Sequence, residues 1–88
     1  DPLYQGLNET TINGIGYYAL GKKNFEGAIA VFSLNCDLYP ESWNVFDSLA
    51  EAYFMSGNTM AAIENYKRSI ELNPGNHNGK QMLEKLSR

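Results

Sequence analysis

Few side chains of this chain have types and spacing that suit catalysis. His77 is the only histidine, and no cysteine or pair of acids lies near it in the sequence. Cys36, the single cysteine, falls on the apolar stripe of a predicted helix, where a small buried thiol is more common than a nucleophile. Catalysis by a nucleophile or a general base needs a partner group held beside it. We therefore expect a chain that is not an enzyme and that uses no cofactor.

Asp47 and Glu51 are a pair of acids whose spacing could suit a metal ion. They are four residues apart on a predicted helix, so their side chains share one face. Calcium and magnesium take six or more oxygen ligands, and two carboxylates without further oxygens make a poor site. We therefore expect no metal here and interpret the pair as charge on a helix surface.

Composition excludes several classes of partner. The 88 residues are 43% apolar and 19% charged, which is typical of one small folded domain. The net charge is −3, and no basic stripe is available to neutralise a phosphate backbone, so we expect no nucleic acid. No apolar run approaches the roughly 18 residues of a membrane span, so we expect no membrane either. The cellular location stays open.

The chain repeats one pattern with a period of 34 residues. Phe32 returns as Tyr66 and Asp37 returns as Glu71, both conservative changes. Five further positions return identically: Asn24, Ala28, Ile29, Leu38 and Pro40 become Asn58, Ala62, Ile63, Leu72 and Pro74. A fixed period of this length indicates stacked helical units that share a core with their neighbours.

Helical spacing and capping residues predict five helices, over 9–22, 25–38, 43–56, 59–72 and 77–87. Residues 1–8 are a lead-in whose Leu3, Tyr4 and Leu7 could pack on the first helix. Ser42 is expected to cap the third helix, as asparagines cap the others. The expected fold is all-α, a right-handed α-solenoid of one repeat over 9–42, a second over 43–76 and a capping helix over 77–88. The apolar side of the first helix includes Ile12, Ile15, Ala19 and Leu20.

These features resemble the tetratricopeptide repeat family. The second repeat has the family's residue types at Leu49, Ala50, Tyr53, Gly57, Ala62, Tyr66 and Pro74. The first repeat matches at Ile15, Gly16, Phe25, Ala28, Phe32 and Pro40. It departs from the pattern at Ala19, where the family has tyrosine, and at Lys23, where the family has the glycine of a turn. The resemblance implies a non-enzymatic protein-interaction module whose inner helices line a concave groove for a peptide or partner segment.

Carried over residue by residue, the resemblance implies a peptide-binding surface with eight members: Asn13, Tyr17, Leu20, Asp47, Glu51, Phe54, Gln81 and Lys85. Asparagine can bond a peptide backbone, Tyr17 and Phe54 offer flat apolar area, and the acids favour a basic ligand. The same positions could instead be solvated surface, or surface covered by another domain.

Two further expectations concern neighbours of the chain. Residues 13–18 and 35–49 are similar to repeat tails that follow bacterial serine-hydrolase or esterase domains. That similarity implies the alternative function of a structural C-terminal appendage that packs on a hydrolase domain of the same polypeptide. In addition, no preceding repeat covers the glycine-rich first helix, which is apolar on more than one side. We expect the chain either to self-associate through this N-terminal helix or to be only marginally stable.

Overall fold

Helices account for nearly all of the chain that the computed structural model describes, residues 7–88. This part contains no strand, and the all-α prediction is confirmed. Each helix lies within one residue of its predicted bounds and packs on its neighbours in sequence. The helices are α1 (Glu9–Gly21), α2 (Phe25–Leu38), α3 (Trp43–Ser56), α4 (Thr59–Leu72) and α5 (His77–Leu86).

Asparagine begins four of the five helices. Asn8, Asn24, Asn58 and Asn76 each accept, through the side-chain oxygen, the backbone N–H three residues later at 2.9–3.1 Å. Each bond satisfies one of the N–H groups that a helix leaves unpaired in its first turn. Ser42 begins α3, but its side chain makes no capping hydrogen bond. Ser42 therefore occupies the predicted N-cap position of α3 without a side-chain hydrogen bond to the helix.

The turns inside the two repeats need a left-handed residue at the same position. Gly57 has φ 91° between α3 and α4, and Lys23, 34 residues earlier, has φ 60° between α1 and α2. Glycine adopts this conformation freely, whereas a residue with a Cβ atom is strained in it. The first repeat thus keeps the turn geometry without the residue type that favours it.

One core joins α1, α2 and α3. Its buried residues are Leu20, Ala28, Phe32, Cys36, Val45, Leu49 and Ala52. Gly16 of α1 lies directly against the Phe32 ring, and a Cβ atom at this position would overlap that ring. Ala28 is fully buried, as expected for an alanine where two helices cross closely. The absence of a side chain at Gly16 therefore sets how near α1 comes to α2.

A second core forms between the last helices. Ala50, Ala62 and Tyr66 are buried, and Met82, Leu83 and Leu86 of α5 pack against them. The opposite side of α5 is exposed at Lys80, Gln81, Glu84 and Lys85. An apolar side against the core and a charged side toward water fit the capping helix that the sequence predicts.

The first helix is only partly covered. Ile12 and Leu20 are buried, but Ile15 is 48% exposed. Ile15 therefore lies on a side of α1 that no described helix covers. Leu7 is also exposed, whereas the predicted packing of Leu3 and Tyr4 on α1 lies outside the described residues.

Candidate binding surface on the first and third helices

Equivalent positions of α1 and α3 lie side by side. Tyr17 and Glu51 are 34 residues apart, and the Tyr17 hydroxyl donates a hydrogen bond to Glu51 Oε1 at 3.4 Å. The Tyr17 ring also packs edge-on against Phe32, with 5.1 Å between ring centroids and 70° between planes. The Tyr17 side chain is therefore positioned by its ring contact with Phe32 and by the hydrogen bond of its hydroxyl to Glu51 of α3. Two of the predicted peptide-binding residues are thus joined.

Negative charge concentrates at this point. Burial raises the pKa of Glu51, and the nearby charge of Asp47 raises it further, while the hydrogen bond from Tyr17 acts in the opposite direction. Burial also raises the pKa of Tyr17, and the charges of the two carboxylates add to that shift. We call Tyr17, Asp47 and Glu51 the acidic patch. A cation placed beside it would relieve the repulsion between its carboxylates.

Asp47 is held by a network that reaches the last helix. Asn76, which is 6% exposed, donates from Nδ2 to Asp47 Oδ1 and to Ser69 Oγ, both at 2.9 Å. Ser69 in turn donates to the carbonyl oxygen of Trp43 at 3.0 Å. One buried amide thus links the start of α5 to α3 and α4. The network fixes the Asp47 carboxylate and uses part of its hydrogen-bonding capacity.

The first repeat has an equivalent of the bond from Ser69 to the Trp43 carbonyl but no equivalent of the bonds that Asn76 donates. Asn35, which corresponds to Ser69, donates from Nδ2 to the carbonyl oxygen of Glu9 at 3.1 Å, as Ser69 does to that of Trp43. The position of Asn76 is taken by Ser42, whose side chain makes no capping hydrogen bond to α3. The oxygens Asn13 Oδ1 and Asn35 Oδ1 are buried and have no hydrogen-bond partner among residues 7–88.

The other predicted peptide-binding residues are divided between surface and core. Phe54 is 37% exposed and lies one turn beyond Glu51 on α3. Gln81 and Lys85 are exposed on α5, and Asn13 is half-buried on α1. Leu20 is only 4% exposed because it packs in the core between α1, α2 and α3. A ligand therefore has access to Phe54 but not to Leu20.

Sequence reasoning missed the residues that organise the surface from beneath. Asn35 and Ser69 are fully buried polar side chains, and the buried Asn76 bonds Asp47 and Ser69 in addition to capping α5. The spacing gives little signal, because Asn24 and Asn76 are each followed three residues later by glycine, yet of the two only Asn76 bonds other helices within residues 7–88. At both sites a Cβ atom on that glycine would lie 2.5 Å from the asparagine Nδ2.

The residues considered for chemistry lie apart from this surface. Cys36 belongs to the core, where burial raises the pKa of its thiol to about 12. His77 is exposed at the start of α5. Among residues 7–88, no three histidine, cysteine or acidic side chains are grouped as a metal site would group them. No helix within that range has the length and apolar character to cross a membrane.

The geometry of this surface does not by itself assign the chain to a protein family. No model of a known protein family matches the chain, and no curated protein matches it.

Proposed function

We propose that this chain is a pair of tetratricopeptide-like repeats with a capping helix, and that it binds a segment of another protein on the face formed by α1 and α3. The observation that carries the proposal is the acidic patch with Phe54 one turn away on the same helix. Carboxylates near an exposed aromatic ring suit a ligand with a lysine or arginine beside an apolar residue.

The two carboxylates have different roles in this proposal. Asp47 already accepts a hydrogen bond from Asn76, so its position is fixed before any ligand arrives. Among residues 7–88, Glu51 accepts only the long hydrogen bond from Tyr17, and its raised pKa reflects burial and the neighbouring charge. A cationic ligand would favour the ionised form of Glu51. We therefore assign the main contact with the cation to Glu51.

Apolar contact contributes more to affinity than charge does. Exposed ion pairs contribute only about 0–1 kcal/mol each, whereas a well-packed aromatic residue at an interface contributes about 2 kcal/mol or more. Phe54 and the adjacent Met55, which is 48% exposed, supply that apolar area on α3. The charges of the acidic patch then set which ligand is preferred and how fast it associates.

The test is fluorescence anisotropy with a library of labelled peptides that place lysine or arginine beside an aromatic or aliphatic residue. Phe54→Ala should weaken the selected peptides by at least about tenfold, and Glu51→Gln by a few-fold. Added salt should mainly slow association. The matched controls are Met60→Ala, an exposed apolar residue on α4, and Glu64→Gln, an exposed acid of α4.

Selection of no peptide from the library would contradict the proposal. So would an affinity that Phe54→Ala and Met60→Ala lower equally, because binding would then not depend on this face. An affinity for acidic peptides would contradict the assignment of the patch. In any of these cases the alternative of a structural appendage would gain support.

A further inference from the structure

An apolar groove of about 560 Å³ lies between α1 and α2. Its lining residues are Leu7, Ile12, Ile15, Val31, Leu34, Leu38 and Tyr39, and none carries a charge. Four of them, Leu7, Ile15, Leu34 and Leu38, are 46–54% exposed. A contiguous apolar patch of this kind marks an interaction surface. We call it the N-terminal groove, and it is separate from the acidic patch.

The second repeat shows which part of this apolar character the fold itself requires. Ile12 and Ile15 correspond to Phe46 and Leu49, which pack into the core that α2 shares with α3. In the second repeat these two positions are apolar because the preceding helix, α2, covers them. The first repeat has apolar residues at the same two positions. In the first repeat Ile12 is still buried, but Ile15 is 48% exposed and no described helix covers it. The groove therefore has apolar residues at positions that a neighbouring helix buries in the second repeat.

Two other lining positions exceed what the fold requires. Val31 and Leu34 correspond to Asn65 and Arg68, so α4 folds with polar residues at these places. The Arg68 guanidinium lies over the ring of Phe46, 5.7 Å from its centroid, and shields it from water. In the first repeat, leucine stands where that arginine would be. The apolar side chains at 31 and 34 thus add to a contact surface and are not demanded by the helix.

The opposite end of the molecule restricts what can fill the groove. The apolar residues of α5 already pack in the second core, and its outward side chains Lys80, Glu84 and Lys85 are exposed. Stacking copies head to tail would place these charges against an uncharged groove, where they would lose water without gaining partners. Placing two grooves face to face opposes apolar surface to apolar surface and brings no charged side chain of the lining together.

We propose that two copies of this chain associate through their N-terminal grooves in a two-fold arrangement. Ile15 and Leu34 of each copy insert into the groove of the other. The groove is small, so we expect a weak dimer that dissociates on dilution. This inference is independent of the proposed peptide binding, because it concerns a different face.

The test is sedimentation equilibrium of the whole chain, from roughly one to several hundred micromolar. Leu34→Arg is the informative variant, since it introduces the residue that the second repeat carries at the same place. It should raise the dissociation constant of the dimer by at least about thirty-fold, the effect of losing an interface hot spot. Met60→Arg makes the same chemical change on α4 at a residue that is 78% exposed, and it should leave the dimer intact.

Methyl NMR identifies the face used. On dilution, the methyl signals of Ile15 and Leu34 should shift, and that of Met60 should not. A wild-type chain that is monomeric throughout, or a dimer that survives Leu34→Arg with helical content unchanged, would overturn the proposal. So would loss of the dimer in Met60→Arg. Contacts within a monomer from Leu3 or Tyr4 to Ile15, or a copurified lipid found by native mass spectrometry, would assign the groove to another occupant.

Discussion

Gly79→Ala tests the buried network that Asn76 makes. In a helix, alanine is normally more stable than glycine by up to about 1 kcal/mol. Here the new Cβ atom would lie 2.5 Å from Asn76 Nδ2 and 3.0 Å from its Cγ, so the amide has to rotate away. The cap itself can survive, because Asn58 keeps its bond to the N–H of Ala61 at 3.1 Å although Ala61 has a Cβ atom. The substitution therefore acts on the bonds to Asp47 and Ser69.

The magnitude follows from those two bonds. A hydrogen bond to a hydroxyl contributes about 0.5–1.5 kcal/mol and one to a charged group about 1.5–3 kcal/mol. Their loss, about 2–4 kcal/mol in all, exceeds the gain from alanine of up to about 1 kcal/mol. We expect the free energy of unfolding to fall by about 2 kcal/mol, which lowers Tm by roughly 10 °C in a domain of this size.

Two glycines serve as matched controls in urea and thermal denaturation followed by circular dichroism. Gly27→Ala meets Asn24 Nδ2 at the same 2.5 Å, but Asn24 is exposed and makes only its cap. Gly14→Ala, on α1, meets no atom within 4 Å. Both should be neutral or stabilising by up to about 1 kcal/mol. If Gly79→Ala stabilises as much as Gly14→Ala, or if Gly27→Ala destabilises as much as Gly79→Ala, the reasoning fails.

Three further substitutions test single features. Lys23→Gly should stabilise by about 0.5–1 kcal/mol in urea denaturation, because glycine relieves the positive φ; a loss would contradict this. Gly16→Ala should destabilise by about 1–3 kcal/mol by overlapping Phe32, and a neutral thermal melt would refute it. Glu51→Gln should stabilise the fold at neutral pH, since the raised pKa means that folding disfavours the ionised carboxylate. That gain should vanish as pH falls below 4.5, and a gain that is constant with pH would exclude this cause.

The helices were predictable because local signals agree with the tertiary contacts. Asparagine at the helix starts, proline after α2 and α4, and the 34-residue period all indicate the same boundaries. The burial of individual side chains was less predictable, because it depends on which neighbouring helix covers each face of a helix. Ile15 has the spacing of a core residue, but no described helix covers it.

The candidate surface was predictable only in part. Tyr17 and Glu51 meet because the period places them at equivalent points of adjacent helices. The burial of Leu20 follows from the close approach of α1 to α2, which the glycine pattern of α1 does not specify quantitatively. The bond from Asn76 to Asp47 joins residues 29 positions apart. Helical spacing carries no information on such a contact between separate helices.

The amide of Asn76 also has a consequence for how such an array can be lengthened. A tandem duplication of residues 43–76 would place Val45 of the new copy three residues after Asn76, where the present chain has Gly79. The side chain of Val45 is fully buried in its own core and cannot move aside. Asn76 would then be displaced, and Asp47 and Ser69 would lose their shared donor. The second repeat therefore requires glycine three residues after Asn76, as α5 provides. A further copy of the second repeat does not provide it.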